Sequence, residues 1–194
     1  MRLRRREFIH LLGLSASVIS LSGMLPIAFR EKRLVRPPGS LSESAFIALC
    51  TRCGRCVQAC PTCALVFSSG SDGFMKIGTP KVDALVGPCE RIQGRCEKQA
   101  QCAQACPTAA IQRTSQRDLK IGSAVIDLNR CIAWNGGFCL VCYEVCPVRG
   151  AISLIDDSRP SFNEETCVGC GRCAYACPAQ PKALSIDSKG ERRL

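Results

Sequence analysis

Aromatic residues and histidine are both scarce in this chain of 194 residues. Phe, Trp and Tyr together make up 5 % of the sequence, so a core built from large side chains would be thin, and something else is expected to fill the interior. The single histidine, His10, lies in the N-terminal leader. The sequence therefore excludes a Cys₂His₂ zinc site and any catalytic triad based on histidine.

Cysteine, by contrast, is abundant, with 17 residues. Such a density indicates either a disulfide framework or bound metal. Disulfides suit an exported chain, but an odd number of cysteines separated by two-residue gaps is awkward for pairing. Structural zinc usually uses two Cys pairs a dozen or more residues apart, and it has no use for repeated triplets that are each followed by Cys-Pro. The pattern therefore favours iron–sulfur clusters.

Two stretches have the spacing of a bacterial [4Fe–4S] ferredoxin, Cys-x₂-Cys-x₂-Cys-x₃-Cys-Pro. They are motif 1, CTRCGRCVQACP (Cys50–Pro61), and motif 4, CVGCGRCAYACP (Cys167–Pro178). The two-residue gaps wrap three thiolates around one cubane, whereas the fourth Cys ligates a neighbouring cluster. Gly54, Gly169 and Gly171 are expected to let backbone N–H groups approach the cluster sulfurs.

A fourth Cys that reaches a neighbouring cluster requires a partner motif, and two irregular motifs meet this need. Motif 2 (Cys89–Pro107) has gaps of six, five and three residues, and motif 3 (Cys131–Pro147) has gaps of seven, two and three. The long gaps of motif 2 hold polar residues, which we expect to form outward loops and a candidate docking surface. Motif 2 is therefore interpreted as a working site rather than a decayed copy.

The crossover of fourth ligands predicts four [4Fe–4S] clusters, here named sites I to IV. Site I consists of Cys50, Cys53, Cys56 and Cys106, and site II of Cys89, Cys96, Cys102 and Cys60. Site III consists of Cys131, Cys139, Cys142 and Cys177, and site IV of Cys167, Cys170, Cys173 and Cys146. Cys96 is the least secure of these sixteen ligands. Cys63 is left over, either as a buried small hydrophobe beside a cluster or as a substitute ligand or redox-sensitive thiol.

Short strand-like runs surround the motifs and predict an α+β fold. Each Cys-Pro is soon followed by Ala and an aliphatic residue, and motifs 3 and 4 are preceded by strand-like runs at 124–127 and 160–163. We therefore expect two tandem bacterial-ferredoxin-like units of short strands and helices, each with two clusters. The units would cover residues 37–118 and 119–194.

Residues 1–36 are predicted to form a leader and linker. Arg36-Pro37-Pro38-Gly39 is expected to be a stiff spacer. Ser40-Leu41-Ser42-Glu43 has the pattern of a capping box, which predicts a helix over 41–49 that delivers Cys50 to motif 1.

The leader has the features of a twin-arginine export signal. Arg5 and Arg6 are followed by one residue and two hydrophobes, and then by the uncharged run Leu11–Phe29. That route exports folded proteins, which suits a chain that must be loaded with iron in the cytoplasm. An ordinary signal-anchor is the alternative. Since no clear Ala-x-Ala site ends the run, and since 19 helical residues would nearly span a bilayer, we expect an uncleaved apolar helix that anchors the protein.

The net charge of +10 does not indicate nucleic-acid binding. Residues 1–36 hold eight Arg and Lys against two acidic residues, and the remaining chain holds 18 against 14. Four clusters with their thiolates would add roughly −8 in the oxidised state, so we interpret the basic excess of the body as an offset to cluster charge. No nucleic-acid partner is expected.

The whole chain resembles the ferredoxin-type proteins of periplasmic nitrate reductase and methylamine-utilisation systems, the NapG/MauM family. The twin-arginine leader, the Arg36–Gly39 segment, motif 1, the 7-2-3 spacing of motif 3 and motif 4 carry the resemblance in that order. It implies an electron-transfer protein without a catalytic site of its own, on the periplasmic face of the cytoplasmic membrane. Its partners would be an integral membrane quinol-oxidising iron–sulfur protein and a periplasmic reductase or dehydrogenase system. The alternatives are an iron–sulfur subunit stably docked to an exported oxidoreductase and a maturation factor for one.

Overall fold

The computed structural model describes residues 33–194. The helices are α1 (Glu43–Leu49), α2 (Arg55–Gln58), α3 (Gln101–Ala105), α4 (Val141–Glu144) and α5 (Arg172–Ala176). The strands are β1 (Leu65–Phe67), β2 (Pro80–Val82), β3 (Ser123–Ile126), β4 (Ile152–Ile155), β5 (Arg159–Phe162) and β6 (Leu184–Asp187). Short 3₁₀ segments lie at Gly70–Asp72, Phe74–Lys76 and Ala133–Asn135. The small helices and short strands confirm the α+β class.

The strands of the C-terminal half form two antiparallel pairs that enclose motifs 3 and 4. The strand before motif 3, β3, pairs with the strand after motif 4, β6, while β4 and β5 pair between the two motifs. All four strands coincide with the runs that the sequence singled out. The pairing of β3 with β6 thus brings the end of motif 4 close to the start of motif 3. This proximity is needed if the last cysteine of motif 4 is to join the first cysteines of motif 3 in one site.

The N-terminal half repeats this pairing in a reduced form. Strands β1 and β2 pair antiparallel between motifs 1 and 2, in the place of β4 and β5. The outer pair is reduced to a single antiparallel bridge between Ser40, before motif 1, and Ile111, after motif 2. Strand β2 was not predicted, since three residues that begin with proline give almost no strand signal.

The segment Arg36–Gly39 is part of the folded body, so the expectation of a stiff spacer is wrong. Arg36 is 2 % exposed, and its guanidinium donates to the Thr79 hydroxyl and the Pro80 carbonyl at 2.8 and 2.7 Å. The preceding residue, Val35, accepts a backbone hydrogen bond from Val82 in β2. A proline-rich tetrapeptide looks like a spacer only when its long-range partners are unknown.

The expected capping box at Ser40–Glu43 is not formed. Helix α1 begins at Glu43 with Ser42 as its N-cap, and no side chain caps it. The Ser40 hydroxyl instead donates to the Pro37 carbonyl, and the Glu43 carboxylate accepts from Arg36 and Arg193. The predicted helix itself is confirmed, and it ends directly before Cys50.

Two apolar clusters fill the interior, one around motifs 1 and 2 and the other around motifs 3 and 4. Small side chains and cysteines make up much of both, and Phe46 and Leu184 are among their larger members. The clusters interlock, because Ala84 from the N-terminal half belongs to the C-terminal cluster and Ile186 packs against both. The core therefore contains few aromatic side chains, as the composition predicts, and cysteines occupy much of their place.

The predicted apolar helix over Leu11–Phe29 lies outside the described residues, as does the twin-arginine pattern. Within residues 33–194, no helix has the length and apolar character needed to cross a membrane. The boundary between the two units at residues 118 and 119 stays a prediction, although the polar run 113–118 is largely exposed.

Candidate iron–sulfur sites

Four cavities of the molecule are each lined by four cysteines. Their volumes, including the space at their mouths that is open to solvent, are about 400 Å³ for one and about 330 Å³ for each of the other three. One is lined by Cys50, Cys53, Cys56 and Cys106, and the next by Cys60, Cys89, Cys96 and Cys102. The others are lined by Cys131, Cys139, Cys142 and Cys177, and by Cys146, Cys167, Cys170 and Cys173. These are the residues of sites I, II, III and IV, and Cys96 lies with its predicted partners.

In motifs 1 and 4, a residue in the left-handed conformation directly precedes the helix. It turns the backbone around the cavity of that motif. Gly54 and Gly171 are the N-caps of α2 and α5, with φ of 74° and 78°. The backbone N–H two residues beyond the second cysteine then donates to that thiol, from Arg55 to Cys53. Since backbone N–H groups that face sulfur stabilise its negative charge, this geometry suits a cluster.

The first two-residue gap of each regular motif also contains a left-handed residue. It is Gly169 in motif 4, with φ of 75°, but Arg52 in motif 1, with φ of 56°. Such a conformation costs a non-glycine residue on the order of 1 kcal/mol. Arg52 gains two hydrogen bonds in return, from its guanidinium to the carbonyls of Ile77 and Met75 at 2.9 and 3.1 Å.

The irregular motif 2 reaches the same arrangement by a different route. Helix α3 carries Cys102, and the backbone N–H of Arg91 donates to the Cys89 thiol. The Arg91 side chain is buried and donates to the carbonyls of Glu97 and Thr114, which ties the loop inward. Only the tips of the two long gaps, 93–95 and 97–99, are exposed. Their role as a docking surface stays a prediction.

Burial raises the pKa of eight of the sixteen thiols that line the cavities. Burial first, and then the charges of neighbouring cysteines, raise the pKa of Cys56 to about 11 and that of Cys89 to about 12. Cys142 is raised to about 11 for the same reasons. A buried group of four thiolates is therefore costly without a cation, and binding of iron must release their protons.

The donor set fits a polynuclear cluster, because in each site four soft thiol ligands line one cavity whose walls are largely apolar. Among residues 33–194, no group of three or more His, Cys, Asp or Glu side chains has the spacing for a single metal ion. The four thiols of each site instead line a cavity, which is larger than a single ion needs.

Cys63 is exposed, so the expectation of a buried small hydrophobe is wrong. It adopts a left-handed conformation with φ of 55°, and its N–H donates to the Cys60 carbonyl. The equivalent residue of motif 2, three positions after the fourth cysteine, is Ala109 with φ of 56°. Cys63 therefore occupies a repeated turn, and it does not line the site II cavity although Thr62 and Ala64 on either side do.

Comparisons with known proteins agree with this chemistry. Residues 158–179, which run from β5 through the last cysteine of motif 4, match the model of a family described as a 4Fe-4S binding domain. Over 187 residues the chain is 34 % identical to "Ferredoxin-type protein NapG" of Escherichia coli (strain K12), covering 90 % of this chain and 79 % of that protein. It is 40 % identical over 167 residues to "Methylamine utilization ferredoxin-type protein MauM" of Paracoccus denitrificans (strain Pd 1222), covering 80 % and 72 %.

Among solved structures, the chain is similar to one chain of a formate dehydrogenase, heterodisulfide reductase and formylmethanofuran dehydrogenase complex from Methanospirillum hungatei. The two are 21 % identical, with 74 % of this chain and 51 % of that chain covered, and the TM-score is 0.27. A score this low carries no argument about the fold.

The matched domain and the ferredoxin-type relatives define an iron–sulfur electron-transfer protein. More particularly, the chain belongs to the family of ferredoxin-type proteins that includes NapG and MauM. The resemblance that the leader and the motif order suggested is therefore confirmed.

Proposed function

We propose that this protein carries four [4Fe–4S] clusters, one at each of sites I to IV, in two tandem units of two clusters. The observation that carries the proposal is the division of sixteen cysteines into four cavities with four thiols each. Each set combines three cysteines of one motif with the fourth cysteine of its partner motif. The strand pairing of both halves supports the same crossover.

The clusters, when bound, supply reversible one-electron chemistry. The chain fixes the thiolates, directs backbone N–H groups at them and excludes water with apolar walls. For example, the backbone N–H of Arg172 donates to the Cys170 thiol, and the Phe46 ring forms part of the apolar wall of site I. The chain would set the reduction potential of each cluster through hydrogen bonds to sulfur and through burial.

In this proposal the protein relays electrons from a quinol-oxidising integral membrane partner to a periplasmic redox enzyme or carrier. Its relation to NapG and MauM proteins and the Arg5-Arg6 leader support the proposal. The leader would place the protein on the periplasmic face of the cytoplasmic membrane through the twin-arginine route. If uncleaved, it would also hold the protein at the membrane.

Iron and sulfide analysis of anaerobically purified full-length protein tests the cluster number, and a redox titration followed by electron paramagnetic resonance (EPR) tests the function. We expect about sixteen irons per chain and reversible signals in the potential range of quinols. A count near eight would contradict the four-cluster proposal. Clusters that are present but do not cycle in that range would contradict the electron-transfer role with a quinol-oxidising partner.

A further inference from the structure

Within each half of the molecule, one pair of short helices brings two sites together. Helix α2, which carries Cys56 of site I, packs against α3, which carries Cys102 of site II. Helix α4, which carries Cys142 of site III, packs in the same way against α5, which carries Cys173 of site IV. Sites I and II are therefore neighbours, and so are sites III and IV.

A separate contact joins the two halves, and it lies between sites II and IV. The backbone N–H of Cys89 donates to the carbonyl of Cys170 at 2.7 Å. Among residues 33–194, it is the one backbone hydrogen bond that joins a cysteine of motifs 1 and 2 to a cysteine of motifs 3 and 4. It directly links a ligand of site II to a ligand of site IV.

Packing on both sides of this hydrogen bond makes the junction close. A Cβ atom added at Gly171 would lie 2.5 Å from the Cβ of Ala84, so only glycine lets the two backbones approach this far. The guanidinium of Arg172 donates to the carbonyl of Gln93 at 2.9 Å across the same junction. The junction is thus held by backbone, by close packing and by a side chain.

The geometry assigns the four sites to one line in the order I–II–IV–III, which differs from their order in the sequence. Sites I and III are the two ends, and the contact between Cys89 and Cys170 is the connection between the halves. The assignment rests on the proposed function of the sites as cluster sites. It makes site I one terminus of the relay, and Cys53 there is the one exposed cysteine among the sixteen.

Removal of single clusters tests the order, because neighbouring paramagnetic clusters broaden each other's EPR signals and accelerate their relaxation. The experiment uses full-length protein, purified anaerobically and fully reduced. Cys102→Ala should remove the cluster of site II and leave site I without a neighbour, so that one unbroadened, slowly relaxing signal appears. The matched variant Cys53→Ala should remove site I and leave three sites that are still coupled, without such a signal. An order with site I beside III or IV predicts no isolated signal in Cys102→Ala, and that result would overturn the assignment.

A second pair of variants tests the junction without removing a ligand. In Ala84→Leu the larger side chain would clash with Gly171 and push the two halves apart. The magnetic coupling between the clusters of sites II and IV should therefore weaken, while the iron count stays unchanged. Ala133→Leu is the control, since this alanine is buried to a similar degree (4 % against 6 %) but lies in the 3₁₀ segment of motif 3. Equal coupling in Ala84→Leu and wild type would contradict the junction. A wild-type count far below sixteen irons would instead contradict the proposed function, so the two failures are distinguishable.

Discussion

The substitution Glu43→Gln tests the ionic network that fastens the first described residues to site I. The Glu43 carboxylate accepts two hydrogen bonds from Arg36, at 2.5 and 3.1 Å, and one from Arg193 at 2.5 Å. Arg36 also lies over the Phe46 ring, 4.6 Å from its centre. Because Glu43 opens α1, which ends before Cys50, the network fixes the helix that leads into motif 1.

The size of the effect follows from burial. The side chain of Arg36 is 1 % exposed, so its charge would lose its ionic partner in a site with little access to water. A glutamine would keep one acceptor oxygen but would turn an NH₂ group towards an arginine. A hydrogen bond to a charged group contributes about 1.5–3 kcal/mol, and the 30 % exposure of Glu43 argues for the lower part of that range. We expect a loss of about 2 kcal/mol in the free energy of unfolding, or about 4–8 °C in Tm.

The pH dependence supplies a second signature. Burial alone would raise the pKa of Glu43, but the hydrogen bonds and charges of Arg36 and Arg193 outweigh it and hold the pKa below its ordinary value of 4.5. A carboxylate with a lowered pKa in the folded state stabilises the protein above its ordinary pKa, and the contribution is lost as the pH falls through the lowered value. The difference between wild type and Glu43→Gln should therefore be constant at neutral pH and should shrink in acid below the ordinary pKa.

Anaerobic guanidinium unfolding of the iron-loaded protein measures this difference, with circular dichroism for the backbone and visible absorbance for the clusters. The control is Glu164→Gln, since Glu164 pairs with Lys189 at 2.8 Å but both side chains are more than half exposed. An exposed pair contributes about 0–1 kcal/mol, so this variant should differ little from wild type. Equal effects of the two substitutions would refute the reasoning from burial.

Three further predictions concern the cysteines and the leader. Iodoacetamide added to the intact, iron-loaded protein should modify one cysteine per chain, Cys63, and mass spectrometry that finds another residue modified first would contradict its assignment as the free thiol. Cys96→Ser should lose about four irons of the full count while Cys63→Ser keeps them all, and the opposite result would exchange their roles. Replacement of Arg5 and Arg6 by Lys should retain the protein in the cytoplasm, as measured by cell fractionation, and normal export would refute the twin-arginine prediction.

The grouping of the cysteines around four cavities agrees with the spacing in the sequence, while their role as cluster ligands stays a prediction. Three thiolates must reach one cubane and the fourth must cross to another, so the pattern of gaps carries three-dimensional information. The same grouping is found for motif 2, where six residues separate Cys89 from Cys96 and both line one cavity. Strands β1, β4 and β6 could also be predicted, since an apolar run follows the Cys-Pro of motifs 1, 3 and 4 at a short distance.

Features that depend on distant partners could not be predicted. The burial of Arg36 requires Glu43, Thr79 and Arg193, and the last of these lies 157 positions away in the printed sequence. The exposure of Cys63 depends on a left-handed turn, which a cysteine rarely adopts and which the sequence therefore does not announce. The backbone hydrogen bond between Cys89 and Cys170, on which the proposed order of the sites rests, could not be predicted either, because it joins two motifs that are distant in the chain.

At two positions of the repeated motifs the halves share a backbone conformation but differ in side chain. These positions show which features cluster binding requires and which it does not. The turn after the fourth cysteine has the same backbone at Cys63 and Ala109, so this position needs a left-handed residue and not a thiol. The first gap has the same backbone at Arg52 and Gly169, so cluster binding needs the turn and not the guanidinium. Arg52 instead secures the loop that displays Phe74 and Met75, which are 85 % and 61 % exposed. Arg52 also lines the site I cavity, so this exposed loop is held beside site I by a side chain that motif 4 lacks at the equivalent position, Gly169.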